Sequence, residues 1–181
     1  MCKILVPLTQ GHEEIEAISI IDILRRAEID VTTVGLDSTK IIGSHNIEIK
    51  ADILLEKIDA NEFNGIVLPG GMPGTLHLKH SDSIKKIIQT MHQDDKFIGA
   101  ICAAPMVLEN AGILTDKKFT IHPGVIDDID LTPESARVVE DGNIITGQAS
   151  GAATLFALTI VKKLKGEKMM NKVNAGVLFK Y

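Results

Sequence analysis

The chain has no tryptophan, a single tyrosine and only two cysteines, Cys2 and Cys102, among its 181 residues. Two cysteines exclude a disulfide scaffold and suit a reducing cytoplasm, which is the expected compartment. No basic stripe interleaved with aromatics occurs, and the net charge is −5. Nucleic acid and anionic membranes are therefore not expected partners. The apolar run Ile4–Leu8 near the start is too short for a signal core, and no segment reaches membrane-spanning length. Neither GxGxxG nor GxxxxGK[ST] is present, so no dinucleotide or phosphate loop is expected. The histidines His12, His45, His77, His80 and His92 lack metal-ligand spacing, and no metal or other cofactor is predicted.

What is present is an alternation of short apolar runs and amphipathic stretches, the pattern of a mostly parallel α/β sheet in one domain over residues 1–181. Strands are predicted at Ile4–Leu8, Asp30–Gly35, Gly65–Leu68, Phe97–Ile101 and Lys118–Ile121. Lys40–Ile49 reads as a small hairpin. Arg137–Glu140 and Asn143–Thr146 should pair around Asp141-Gly142. Helices are predicted at Glu13–Ala27, Ser81–His92 (with Ser81 as cap), Ala103–Asn110, Ala152–Leu164 and Glu167–Lys172.

The most informative stretch is Phe97–Pro105, Phe-Ile-Gly-Ala-Ile-Cys-Ala-Ala-Pro, a buried strand running into a helix with Cys102 at the joint. Small residues on both sides permit a tight turn that presents one side chain at its apex. The helix start favours the thiolate, the nucleophilic and oxidisable form. A buried, inert cysteine is the plain alternative. In open α/β sheets, sites form outside the carboxyl ends of strands. There, Cys102 should meet the loop Gly70–Gly74, His122, and the acidic start of the first helix. Glu13 and Glu14 are accounted for by the helix dipole. Glu16 lies between Ile15 and Ala17 and can turn inward, where burial raises its pKa and fits it for acid/base work. Gly70, Gly71 and the Ala103 N–H can form an oxyanion hole. His122 can pair with Cys102 or remain an ordinary loop histidine.

Taken together, Glu-Glu-Ile-Glu-Ala (13–17), Asp-Ile-Leu-Arg-Arg-Ala (22–27), Val-Leu-Pro-Gly-Gly (67–71), Ala-Ile-Cys-Ala-Ala-Pro (100–105) and Thr-Ile-His-Pro (120–123) resemble the ThiJ/PfpI superfamily. Within it they are most similar to the branch of the parkinsonism-associated protein deglycase and its bacterial relatives. The resemblance implies a flavodoxin-like three-layer sandwich and a homodimer packed through the first helix. It implies Cys102 as nucleophile, Glu16 as protonated partner and acid/base, His122 as nearby imidazole, and Gly71 with Ala103 as oxyanion donors. Implied activities are cofactor-free conversion of methylglyoxal or glyoxal to hydroxy acids and repair of early glycated amino groups. A small aldehyde or a glycated amino group would be the substrate. Redox sensing through cysteine sulfinate, chaperone activity and, among distant relatives, cysteine peptidase or amidase activity are the alternatives. Two departures stand out: Ala149-Ser150-Gly151 replaces a common Gly-Pro-Gly, and His45 stands where animal members carry arginine.

Overall fold

The computed structural model describes residues 2–180. Strands β1 (Lys3–Leu8), β2 (Asp30–Gly35), β5 (Ile53–Leu54), β6 (Gly65–Leu68), β7 (Phe97–Ile101), β8 (Val138–Asp141) and β9 (Ile144–Gly147) form one seven-stranded sheet, ordered β5-β2-β1-β6-β7-β9-β8. All neighbours are parallel except β8, which joins β9 through the Asp141-Gly142 hairpin. The short strands β3 (Lys40–Ile42) and β4 (Glu48–Lys50) form the separate antiparallel hairpin expected from sequence. The helices are α1 (Glu14–Arg26), α2 (Gly74–Lys79), α3 (Asp82–Gln93), α4 (Pro105–Asn110), α5 (Ala153–Lys165) and α6 (Glu167–Val177). This is the mostly parallel, flavodoxin-like α/β sandwich.

Period-two alternation sorts the strand side chains into two cores. On β1, Ile4, Val6 and Leu8 face the layer of α1, α5 and α6, while Leu5 faces the other side. On β7, Phe97 and Ile101 join the first layer, and Ile98 and Ala100 pack with Ile84, Ile88, Met106 and Leu108 of α3 and α4. Each fully buried side chain of this kind contributes about 1.5–3 kcal/mol through burial. Both faces of the central strands are covered, and this explains why they read as unbroken apolar runs.

Three expectations need correction. Lys118–Ile121 is not a strand: the Lys118 N–H is taken by the Asp141 carboxylate (2.9 Å) and the Thr120 N–H by the Thr146 hydroxyl (2.9 Å). Side-chain acceptors there replace the carbonyls of a ladder, although Phe119 and Ile121 still reach the core. The helix after Cys102 begins at Pro105 rather than Ala103, with residues 102–104 forming a turn. Proline suits that first position because its missing N–H would be unpaired anyway. The C-terminal helix runs on to Val177, five residues beyond the predicted end at Lys172. The edge strand β5 and the short helix α2 carry too little periodicity to be read from sequence. Among the described residues no helix is long and apolar enough to cross a membrane.

Candidate active site

Cys102 leaves the carboxyl end of β7 with φ = 64°, the left-handed region that L side chains rarely adopt. The conformation is fixed from three sides. The Cys102 N–H donates to the Gly147 carbonyl (2.9 Å), its own carbonyl accepts the His122 N–H (2.9 Å), and the Ala104 N–H donates to Ile101 (3.0 Å). A residue held in this way at a strand-to-helix turn has the geometry of a nucleophile elbow. The sulfur receives backbone N–H bonds from Ala103 and Gly71 and a side-chain hydrogen bond with Glu16.

The glycine loop after β6 makes this approach possible. A Cβ on Gly70 would sit 2.7 Å from the Cys102 Cβ and 2.9 Å from Glu16 Oε2, so only glycine fits between them. Gly71 adopts φ = 93° and turns its N–H toward the thiol. The Gly70 carbonyl accepts the Glu13 N–H (2.9 Å), tying this loop to the start of α1.

Glu16, in the first turn of α1, is fully buried (0 % exposed). Its Oε2 accepts the Gly70 N–H (2.8 Å) and its Oε1 the Ser150 hydroxyl (2.8 Å). Burial raises its pKa, and the bonds from Ser150, Gly70 and Cys102 only partly offset that. For Cys102, burial and then the charge and hydrogen bond of an ionised Glu16 push the thiol up to about 12, against the Ala103 and Gly71 N–H groups. The two rises belong to one coupled pair, whose shared proton can sit on either site. When that proton sits on Glu16, the charge opposing the thiolate disappears and the carboxyl O–H becomes a donor to sulfur. The sequence suggested that the helix start favours the thiolate; in the structure burial and Glu16 outweigh the Ala103 and Gly71 N–H groups and raise the thiol's pKa.

His122 reaches the elbow through its backbone. Its ring Nδ1 accepts the Gly124 N–H (2.9 Å), which leaves the ring proton on Nε2. Among the described residues no hydrogen bond joins the ring to Cys102 or Glu16, so the sites predicted as a Cys–His pair are neighbours without a side-chain bond. Cys2 precedes β1 at the opposite, amino end of the sheet, half-buried and raised in pKa by that burial.

Two contacts were not foreseen from sequence. Ser150 supplies the second hydrogen bond to Glu16 across 134 residues of chain, and its only sequence signal was the departure at 149–151. Glu14 and His45 form the other: Glu14 Oε2 meets His45 Nδ1 at 2.9 Å, and Glu14 Oε1 accepts the His45 N–H at 2.7 Å. Burial opposes ionisation of Glu14, but the hydrogen bonds from the His45 ring, the His45 N–H and the Ile47 N–H hold its pKa down at about 2. Glu14 in turn raises the His45 pKa, with Glu13 adding to it. Glu13, Glu14 and His45 offer ligand atoms within 4.8 Å of one another, the one such group that could hold a cation among the described residues. A cavity of about 940 Å³ lies instead at the carboxyl ends of β1, β2 and β5, and neither Cys102 nor Glu16 lines it.

The model of the DJ-1/PfpI family matches residues 2–163. The chain is 34% identical over 182 residues to protein dj-1beta of Drosophila melanogaster, covering 98% of this chain and 97% of that one. It is 37% identical over 169 residues to protein DJ-1 homolog B of Arabidopsis thaliana, covering 92% of this chain but only 39% of the relative. The chain thus spans about two fifths of the plant relatives' length. Deglycase TK1284 of Thermococcus kodakarensis is 27% identical over 166 residues, 90% of this chain and 99% of that protein. Among solved structures, oxidized Toxoplasma gondii DJ-1 superposes with a TM-score of 0.95 at 34% identity, each chain covered completely.

Proposed function

Because the chain belongs to the DJ-1/PfpI family, we propose that it is a cofactor-independent cysteine enzyme acting on 2-oxoaldehydes or early glycation adducts. The observation that carries this reading is the hydrogen-bonded pair of Cys102 and a buried Glu16 beneath the Gly71 and Ala103 N–H groups. The deglycase of T. kodakarensis, a relative over most of the chain, supports the reaction class.

The steps balance on these residues. The Cys102 thiolate attacks the aldehyde carbon, Glu16 delivers its proton to the aldehyde oxygen, and a hemithioacetal forms. The Gly71 and Ala103 N–H groups stabilise the developing oxyanion. Glu16, now a carboxylate, takes the hydrogen from that carbon and returns it to the neighbouring carbonyl carbon, while the hydroxyl proton passes between the two oxygens. The product is a 2-hydroxyacyl thioester. Water adds to it and the thiol departs, so methylglyoxal plus water gives lactate and one proton. Glutathione-free formation of lactate from methylglyoxal by the purified protein is the test, followed by NMR. Glu16→Gln should lower the rate by about 10²- to 10⁴-fold, the usual worth of a positioned acid/base. An unchanged rate in that variant overturns the assignment.

A second reading is favoured by the same donors. N–H groups aimed at sulfur, beside a protonatable carboxyl, suit the oxygens of a cysteine sulfinate, and the T. gondii neighbour is described as oxidized. Each of two peroxide molecules would give one oxygen to sulfur and leave as water. Intact mass after mild peroxide decides: two added oxygens at Cys102 without aldehyde turnover favours a sensor. A homodimer belongs to the same proposal, supported by Ile15 and Ile18, which stand 59% and 48% exposed on the outer face of α1.

A further inference from the structure

Glu16 is fully buried, yet the proposed reaction returns one proton to solvent at each turnover. The structure gives its carboxyl three polar neighbours: the Gly70 N–H, the Cys102 sulfur and the Ser150 hydroxyl. An N–H can only donate, and the sulfur is the reacting atom. Ser150 is different. It is half-buried, it lies in the turn Ser150–Ala152 that opens α5, and its Oγ stands 2.8 Å from Glu16 Oε1. A hydroxyl carries one proton and two lone pairs, and it rotates to donate to a carboxylate or to accept from a carboxylic acid.

We propose that the Ser150 hydroxyl is the proton relay between the buried Glu16 carboxyl and solvent, and the positioning residue that holds this carboxyl toward Cys102. The inference rests on the acid/base role given to Glu16 above. In the resting pair, Ser150 donates to Oε1 and Gly70 to Oε2, so both oxygens are anchored and the carboxyl plane is fixed. When Glu16 must shed a proton after thioester hydrolysis, the hydroxyl accepts it on one lone pair while passing its own proton outward to water. No bond other than O–H forms or breaks, and the hydroxyl is regenerated. The titratable groups facing the carboxyl are Cys102 and, through its charge, Glu13. Neither offers an exit, because Cys102 is the reacting group itself and, among the described residues, no hydrogen bond joins Glu13 to Glu16. Glycine or proline at this position would remove the relay.

Removal of the hydroxyl acts in opposite directions on two measurements. Without the bond to Oε1, Glu16 holds its proton more tightly, and the shared proton moves further from sulfur onto the carboxyl. In Ser150→Ala, alkylation of Cys102 by iodoacetamide at neutral pH should therefore rise by about threefold to tenfold, the worth of one hydrogen bond to a charged group. Turnover of methylglyoxal should fall about tenfold in kcat with little change in KM, on the same hydrogen-bond scale. The acid limb of the kcat–pH profile should move to higher pH. Ser150→Thr, which keeps the hydroxyl, should restore both values.

Falling alkylation and turnover together in Ser150→Ala, without rescue by Ser150→Thr, would mean a packing role and overturn the relay. Unchanged kcat and unchanged pH profile would overturn it equally. Alkylation needs no substrate, which separates the two ideas. If the wild-type protein fails to turn over methylglyoxal but Ser150→Ala still raises alkylation, the proposed reaction fails and the coupling of Ser150 to the pair stands.

Discussion

Cys102 combines two costs that an inert residue would not carry: a left-handed backbone and a buried thiol bound to a carboxyl. Backbone strain of this kind costs about 1–3 kcal/mol and persists only where the surroundings hold it. Cys102→Gly, which adopts the same φ without strain, should abolish the chemistry and stabilise the fold by about 1 kcal/mol after the lost sulfur contacts are counted. Urea unfolding checks this, and a variant less stable than wild type contradicts it. At this scale the sequence pointed to most of the residues that the structure brings together as the candidate site. Cys102, Gly70, Gly71 and Ala103 were legible because strand, turn and small residues adjoin in the chain. Glu16 was legible as a carboxylate in an apolar stretch. Ser150 was not, because a bond across 134 residues leaves no local pattern. His122 was found as a neighbour, but its ring is turned to Gly124.

The elements place these residues by simple means. Glu13 precedes α1 and Glu14 and Glu16 lie in its first turn, and each takes a different partner: Gly70 through the backbone, His45 and the β3–β4 hairpin, and the Cys102 site. The Glu14–His45 contact gives this helix start a pH signature. Glu14 has a depressed pKa, so its contribution is complete above 4.5, its unfolded value, and is lost as pH falls toward about 2. His45 has a raised pKa, so its contribution is complete below 6.5 and is lost as pH rises through its folded value. The stability gap between wild type and Glu14→Gln should therefore be widest between pH 4.5 and 6.5 and should narrow on both sides. A gap independent of pH in urea midpoints would contradict the pairing. Further along, Phe156 of α5 is fully buried, and its ring lies 3.2 Å from where a Cβ on Gly99 would be, so it packs directly under the strand that ends at Cys102. Phe156→Ala should cost about 3–5 kcal/mol, read by thermal or urea unfolding; a loss below about 1 kcal/mol would show that the site collapses freely. Strands with unbroken apolar runs were readable, whereas 118–121 misled because its apolar residues are buried without a ladder beside them.

For the molecule as a whole, the mostly parallel order β5-β2-β1-β6-β7-β9-β8 brings the ends of β1, β6 and β7 to one edge, where four distant segments assemble the candidate site. Alternation of strands and helices made that architecture legible, but strand order and the pairing of the final hairpin with β7 depend on contacts no local pattern records. The exposed pair Ile15 and Ile18 on α1 bears on assembly: Ile18→Glu should shift the protein from dimer to monomer in sedimentation, and a wild-type monomer at micromolar concentration would contradict the proposed dimer. The proposed chemistry requires Cys102 as the nucleophile. The most direct measurement compares wild type with Cys102→Ser for conversion of methylglyoxal to lactate without glutathione. Steady lactate production is expected of wild type, and none above the uncatalysed rate in the variant. Full activity in Cys102→Ser would contradict it.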